Sequence, residues 1–274
     1  MLKSIVSVAA GATEDAELIG VTAALTARSG GQLRVIPAFA DPAADLIYYG
    51  ATLGTSLPEI AVERVVAAER EKQDKIEALA GSAALAAKAS VSVARRDLLP
   101  AIAVANAAVL ADLTAFHGVS ARGPLNGVFA ETLISTRAPC LVVNGASDAF
   151  ATAAIAWDGS AQAGRAVRAA LPMLRLASKV LVFRNTEDSG LDASAANGDA
   201  LRAYLELHGV KTIAARDIRG ERVAPSLLEA AGAEKCDLLV SGAYGRPRLY
   251  EMVLGGTTRS LVLADQAPHL LLAH

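Results

Sequence analysis

Asp237-Leu238-Leu239-Val240-Ser241-Gly242-Ala243-Tyr244-Gly245, followed after nine residues by Gly255-Gly256-Thr257-Thr258, is the stretch whose interpretation fixes the fold. A short apolar run led by an acid predicts a buried strand, and the glycines after it predict a loop opening into a helix. Pro268 then introduces a last apolar run, Leu270-Leu271-Leu272-Ala273. Glycine-rich backbone at the carboxyl end of a parallel strand leaves N–H groups unhindered, and such groups can receive a phosphate.

The same order of features occurs twice. Ile5 to Gly11 corresponds to Ala153 to Ser160, each a small-residue strand leading into a helix. Asp112-Leu113-Thr114-Ala115-Phe116 corresponds to Asp237-Leu238-Leu239-Val240-Ser241, and Pro139-Cys140-Leu141-Val142-Val143 to Pro268-His269-Leu270-Leu271-Leu272. Gly127 and Gly256 each fall twelve residues before their proline. Two copies of one unit, residues 1–146 and 151–274, are therefore expected.

Each copy alternates strand and helix. Strands are predicted near 3–9, 32–38, 90–95, 111–116 and 139–144, and again near 153–157, 179–184, 210–216, 237–241 and 268–273. Helices are predicted near 14–29, 58–80, 98–110 and 125–136, and near 161–177, 194–208, 221–232 and 257–265. Alternating βα units give an α/β fold of two repeated open parallel five-stranded sheets with helices on both faces. Pro172 predicts a bend or an early stop in its helix. The dense mixed-charge run Glu63 to Glu77 reads as a solvated helix face.

Composition sets outer limits. A hydrophobic fraction of 53% with only 4% aromatic residues means a core of Ala, Val, Leu and Ile. A formal net charge of −2 gives no electrostatic case for nucleic acid or an anionic membrane. No uncharged run reaches the ~18 residues of a membrane span, and Lys3 to Ala10 reads as a first strand rather than a leader. Cys140 and Cys236 lack metal-ligand spacing and read as reduced core thiols of a cytoplasmic protein. His117, His208, His269 and His274 form no metal spacing either.

The segment Gly242 to Arg259, with its ending at Pro268 to His274, resembles the universal stress protein family in its tandem bacterial form. That family's nucleotide pattern is Gly, two residues, Gly, nine residues, Gly, then Ser or Thr. Gly242, Gly245 and Gly255 match the spacing; Gly256 stands at the fourth position and threonine arrives one place late, as Thr257. The resemblance implies an internal pseudo-dimer in which the strands near 139–144 and 268–273 pair edge to edge. It also implies that Asp158 faces the adenine or ribose, and that backbone near Arg184 and Asn185 lines the adenine pocket.

The chemistry of the spacing can be stated without the resemblance. Gly242 lies where the strand ends and a side chain would obstruct a ligand, and Gly245 permits positive φ. Gly255 and Gly256 precede a helix whose first N–H groups, with those of Thr257 and Thr258, can converge on phosphate oxygens; Arg246 and Arg248 can add charge. Hydrogen bonds to a charged phosphate contribute ~1.5–3 kcal/mol each, so three or four fit micromolar affinity, about −8 kcal/mol. Blander roles exist beside these: a tight strand-to-helix connection for the glycines, an N-cap for Asp158, and surface positions for Tyr244 and Arg246.

The first copy departs from the pattern. His117 stands opposite Gly242, Ser120 opposite Gly245, Asn126 opposite Gly255 and Ala10 opposite Asp158, and the loop is four residues shorter. Residues 1–146 are expected not to bind ATP in the family manner. The segment Asp41 to Thr55, with Tyr48 and Tyr49, has no counterpart in the second copy.

The function expected is a cytoplasmic ATP-binding stress-response module, regulatory or nucleotide-sensing, with ATP, with or without Mg²⁺, held at one site. No Walker lysine motif, nucleophile triad or two-metal carboxylate cluster indicates a dedicated enzyme. The alternatives left open are a ligand-free partner-binding protein and a slow ATP hydrolase. A homodimer beyond the internal pairing is also left open.

Overall fold

The computed structural model describes residues 2–39, 59–95, 99–185, 198–220, 222–244 and 256–274. The Asp41–Thr55 segment, Gly245, Arg246, Arg248 and Gly255 lie outside them.

Among the described residues ten strands appear in chain order: β1 (Ser4–Ala9), β2 (Gln32–Pro37), β3 (Ser90–Val93), β4 (Leu113–His117), β5 (Cys140–Val143), β6 (Thr152–Ala156), β7 (Lys179–Asn185), β8 (Ile213–Ile218), β9 (Leu238–Gly242) and β10 (His269–Ala273). The described helices are α1 (Asp15–Ser29), α2 (Glu59–Ala87), α3 (Pro100–Ala108), α4 (Gly118–Arg122), α5 (Asn126–Ile134), α6 (Ala161–Leu174), α7 (Gly198–Leu207), α8 (Val223–Ala233) and α9 (Gly256–Leu263). All ten predicted strands are present. Two helix ends and one added helix have local reasons. Helix α2 continues seven residues beyond 80, through the small-residue run Gly81 to Ala87. Helix α6 ends at Leu174, two residues after the internal Pro172 that withholds a backbone donor. Helix α4 is a short turn absent from the predicted set, capped by the His117 side chain.

The expected pair of five-stranded sheets is joined into one. The strand order is β3-β2-β1-β4-β5-β10-β9-β6-β7-β8, so each half runs in the same sequence outward from the seam. Pairings within each half are parallel, whereas β5 meets β10 antiparallel, with Leu270 opposite Val142 and Leu272 opposite Cys140. The seam thus covers two apolar strand edges that would otherwise invite association.

Alternating side chains feed two cores. Ile5, Leu113, Leu141, Ile155, Val240 and Leu271 point to one face, where α1, α2, α6 and α7 pack. Val8, Phe116, Val142, Ala154, Leu239 and Leu270 point to the other, under α3, α5, α8 and α9. Strands buried on both faces explain why the strand segments read as nearly continuous apolar runs. Cys140 is buried and Cys236 half-buried, and both are free thiols. Burial pushes the Cys140 thiol far up, and burial with Glu234 and Asp237 raises Cys236 to about 11, so neither is poised to react. Among the described residues no helix is long and apolar enough to cross a membrane.

Candidate functional site

The carboxyl ends of β9, β6 and β7 lie side by side, because Ala156 pairs with Ser241 and with Phe183. This places Gly242, Asp158 and Arg184 on one rim of the sheet, where parallel α/β proteins receive ligands.

Gly242 has a packing role. A Cβ there would stand 2.6 Å from the Ala163 nitrogen and 2.8 Å from the Gln162 carbonyl carbon, so the glycine lets the end of β9 slide beneath the first turn of α6. This packing role stands beside the ligand-facing role expected from the sequence.

The turn from β6 into α6 is built twice in this chain. Gly11 and Gly159 both adopt φ +73°, in a left-handed conformation that costs glycine little. In the first half the buried Asp15 carboxylate fills the turn, accepting from the N–H groups of Ala10 at 3.0 Å, Gly11 at 2.8 Å and Ala12 at 3.1 Å. Burial drives the Asp15 pKa upward against those three donors. In the second half Ala163 stands at the corresponding helical position and supplies no carboxylate. Ser160 is the N-cap of α6, its Oγ accepting from Ala163 N–H at 3.1 Å; the alternative that Asp158 caps the helix is therefore corrected. Asp158 is exposed and accepts from Ser160 N–H at 2.9 Å. The N–H groups of Asp158 and Gly159 take no partner among the described residues.

Two buried donors stand beside this turn without partners among the described residues: the indole Nε1–H of Trp157 and the guanidinium Nε–H of Arg184. The main-chain N–H of Trp157 bonds the Phe183 carbonyl at 2.9 Å, and strand alternation puts the Trp157 and Arg184 side chains on the α6–α7 face of adjacent strands. Arg184 spends another donor on Asp217, at 2.7 Å. Asn185 continues β7, in register with Ile218. Trp157 was absent from the predicted site. Its signal was there to read, as the single tryptophan of the chain, immediately before Asp158.

At the start of α9, Gly256 and Thr257 are exposed, and a Cβ on Gly256 would meet nothing within 4 Å. Thr258 is buried, and its hydroxyl accepts from Tyr244 N–H at 3.4 Å, tying the helix to the chain leaving β9. Tyr244 is not the surface residue expected. It is half-buried against the α8–α9 core, adopts φ +56° and packs edge-on to His274 at 6.1 Å. Burial, with the Cys140 thiol nearby, pushes its hydroxyl to about 12. The structure thus gathers Gly242, Asp158 and Thr258 with Trp157, and sets Arg184 one strand further out.

Residues 150–269 match the universal stress protein family. The second half of the chain therefore carries a universal stress protein domain. Over nearly its whole length it also has the fold of a universal stress protein from Archaeoglobus fulgidus DSM 4304: 14% identity, TM-score 0.67, covering 98% of this chain and 97% of that one. A functionally unknown protein from Pseudomonas aeruginosa PAO1 is similar at 13% identity and TM-score 0.58, covering 99% and 92%. No curated protein sequence matches. In universal stress protein terms the paired sheet halves are a tandem arrangement of one fold.

The first half's version of the rim is closed by its own side chains. His117, at the place of Gly242, accepts from Val119 N–H at Nδ1 and reaches Glu17 at 3.3 Å through Nε2. Ser120 Oγ donates to Glu14 at 3.1 Å. Burial opposes the Glu14 charge, but its backbone bond, Ser120 and His117 together hold the carboxyl below its ordinary value. Three carboxylates at the start of α1 make this rim hostile to a phosphate.

Proposed function

We propose that this protein binds an adenine nucleotide, ATP with or without Mg²⁺, at the rim of its second half, and acts as a nucleotide-sensing regulatory module of a stress response. The units are residues 1–146 and 151–274, and only the second is competent. The observation carrying this reading is the pair of matching turns. One holds a carboxylate on three N–H groups; in the other, Asp158 takes only the Ser160 N–H, and the N–H groups of Asp158 and Gly159 stay without a partner among the described residues. Trp157 Nε1 and Arg184 Nε add two donors and no acceptor, which suits the acceptor-rich edge of a base or ribose. Each buried donor left unsatisfied costs ~1–3 kcal/mol, a penalty that a bound acceptor relieves.

In this reading the N-terminus of α9, at Gly256 and Thr257, faces the phosphates, and Gly245, Arg246 and Gly255 complete their cradle. Asp158 addresses the ribose. No catalytic residues are assigned, the protein is placed in the cytoplasm, and its partner is the nucleotide rather than nucleic acid or membrane.

Gly256 and Gly127 provide a matched test, since an added Cβ meets nothing within 4 Å at either. By calorimetry, Gly256→Val should weaken ATP binding by about tenfold or more, equivalent to ~1.4 kcal/mol, while Gly127→Val leaves it unchanged. Equal losses would refute the choice of half. Absence of nucleotide in denatured extracts, with no thermal shift on adding ATP and Mg²⁺, would favour a partner-binding protein.

A further inference from the structure

His269 is the first residue of β10, 3% exposed, and sits where the two halves of the sheet join. Both ring nitrogens are committed to the segment that connects the halves. Nδ1 accepts from Asn144 N–H at 2.9 Å, and Nε2–H donates to the Ser147 carbonyl at 2.7 Å. Asn144 returns a bond from Nδ2 to the Pro268 carbonyl at 2.9 Å, and the ring lies 5.4 Å from Phe150, centroid to centroid. A backbone N–H can only donate, so this arrangement requires the neutral Nε2–H tautomer.

We propose that His269 is an acid-released pin that fastens the 144–150 connection to β10 across the seam of the sheet. Protonation would place an N–H on Nδ1 facing the Asn144 N–H. One bond becomes a donor–donor contact, against a ring that is itself buried. The seam strands keep their own ladder, so release begins in the connection and at the start of β10 rather than throughout the fold.

The groups around the ring act in both directions. Asp237, leading into β9, and Glu17, on α1, favour the charged ring, as does the Ser147 carbonyl. His117, at the end of β4, opposes it, and burial opposes it most. The net direction is downward. Asp237 is itself engaged, accepting from Thr152 N–H at 2.8 Å. A folded-state pKa below the unfolded value means the unfolded or unpinned state binds more protons. The pin's contribution is therefore complete above the ordinary imidazole range and is lost as pH falls through the folded value.

The test is amide hydrogen exchange on the intact chain, corrected for intrinsic rates, at about pH 7.5 and about pH 5.5. Opening of the Asn144 amide should become more frequent at the lower pH, by up to about tenfold, the ceiling set by an opened ring that titrates at the ordinary imidazole value. His269→Gln should lose this dependence, and His208→Gln should keep it. Nitrogen NMR of the unmodified protein supplies a reading that does not depend on a variant folding: His269 should be an Nε2–H tautomer through neutral pH. Protonated Nδ1, a His269 pKa at or above the ordinary value, or an Asn144 opening frequency indifferent to pH would each overturn the proposal.

Discussion

Gly242 carries a packing role that the sequence does not disclose. Its place in the glycine pattern was plain in the sequence, yet the structure gives the missing Cβ a neighbour within the protein, the backbone of Gln162 and Ala163. Gly242→Ala is expected to destabilise the unliganded chain by about 1–3 kcal/mol, the usual cost of overpacking, read from urea unfolding. An unchanged midpoint would mean that the first turn of α6 yields easily. Nucleotide binding should accordingly be probed at Gly256, where space is open, and not at Gly242. Trp157 is the complementary case, a residue that periodicity treats as core while its buried N–H asks for an acceptor. Trp157→Phe should weaken nucleotide binding by more than it lowers the melting temperature of the free protein would account for; equal affinity for ATP in the two proteins would remove the indole from the site.

At the scale of elements, the two strand-to-helix turns differ in who supplies the capping oxygen. Helix α6 relies on Ser160, and Ser160→Ala should cost about 1 kcal/mol, measured by chemical denaturation. Helix α1 has no side-chain cap from Glu14, and Asp15 instead binds the preceding loop from inside the helix. Asp15→Ala should therefore destabilise the fold considerably more than Asp158→Ala, because it strands three N–H groups where Asp158 holds one at an exposed position. Comparable thermal shifts in the two variants would show that water replaces the Asp15 carboxylate freely. The helices themselves were legible from periodicity, as was the early stop of α6 at Pro172, while the end of α2 was misjudged where small residues prolong it. Short helix α4 carries too few residues for any periodicity to announce it.

Across the whole molecule, the seam is the feature on which the paired halves depend. Arg28 with Asp148 and Arg122 with Asp265 add ion pairs around it, but these are largely exposed and contribute little; the apolar strands β5 and β10 do most of the joining. Residues 151–274 expressed alone would present Leu270, Leu271 and Leu272 on an open edge, and should sediment as a dimer or larger species. A stable monomer in ultracentrifugation would show that this edge does not govern association.

The sequence by itself determined the alternation of strand and helix, the duplication, and which half carries the glycine pattern, because those properties are written in local apolar periodicity and in residues that few backbones other than a turn can use. Tertiary structure alone decided that the end of β9 packs beneath α6 at Gly242, that Asp15 occupies in the first half a turn the second half fills only in part, and that His269 fastens the connection. Each of these depends on atoms distant along the chain meeting out of water, where a single unpaired donor or charge costs enough to select one arrangement.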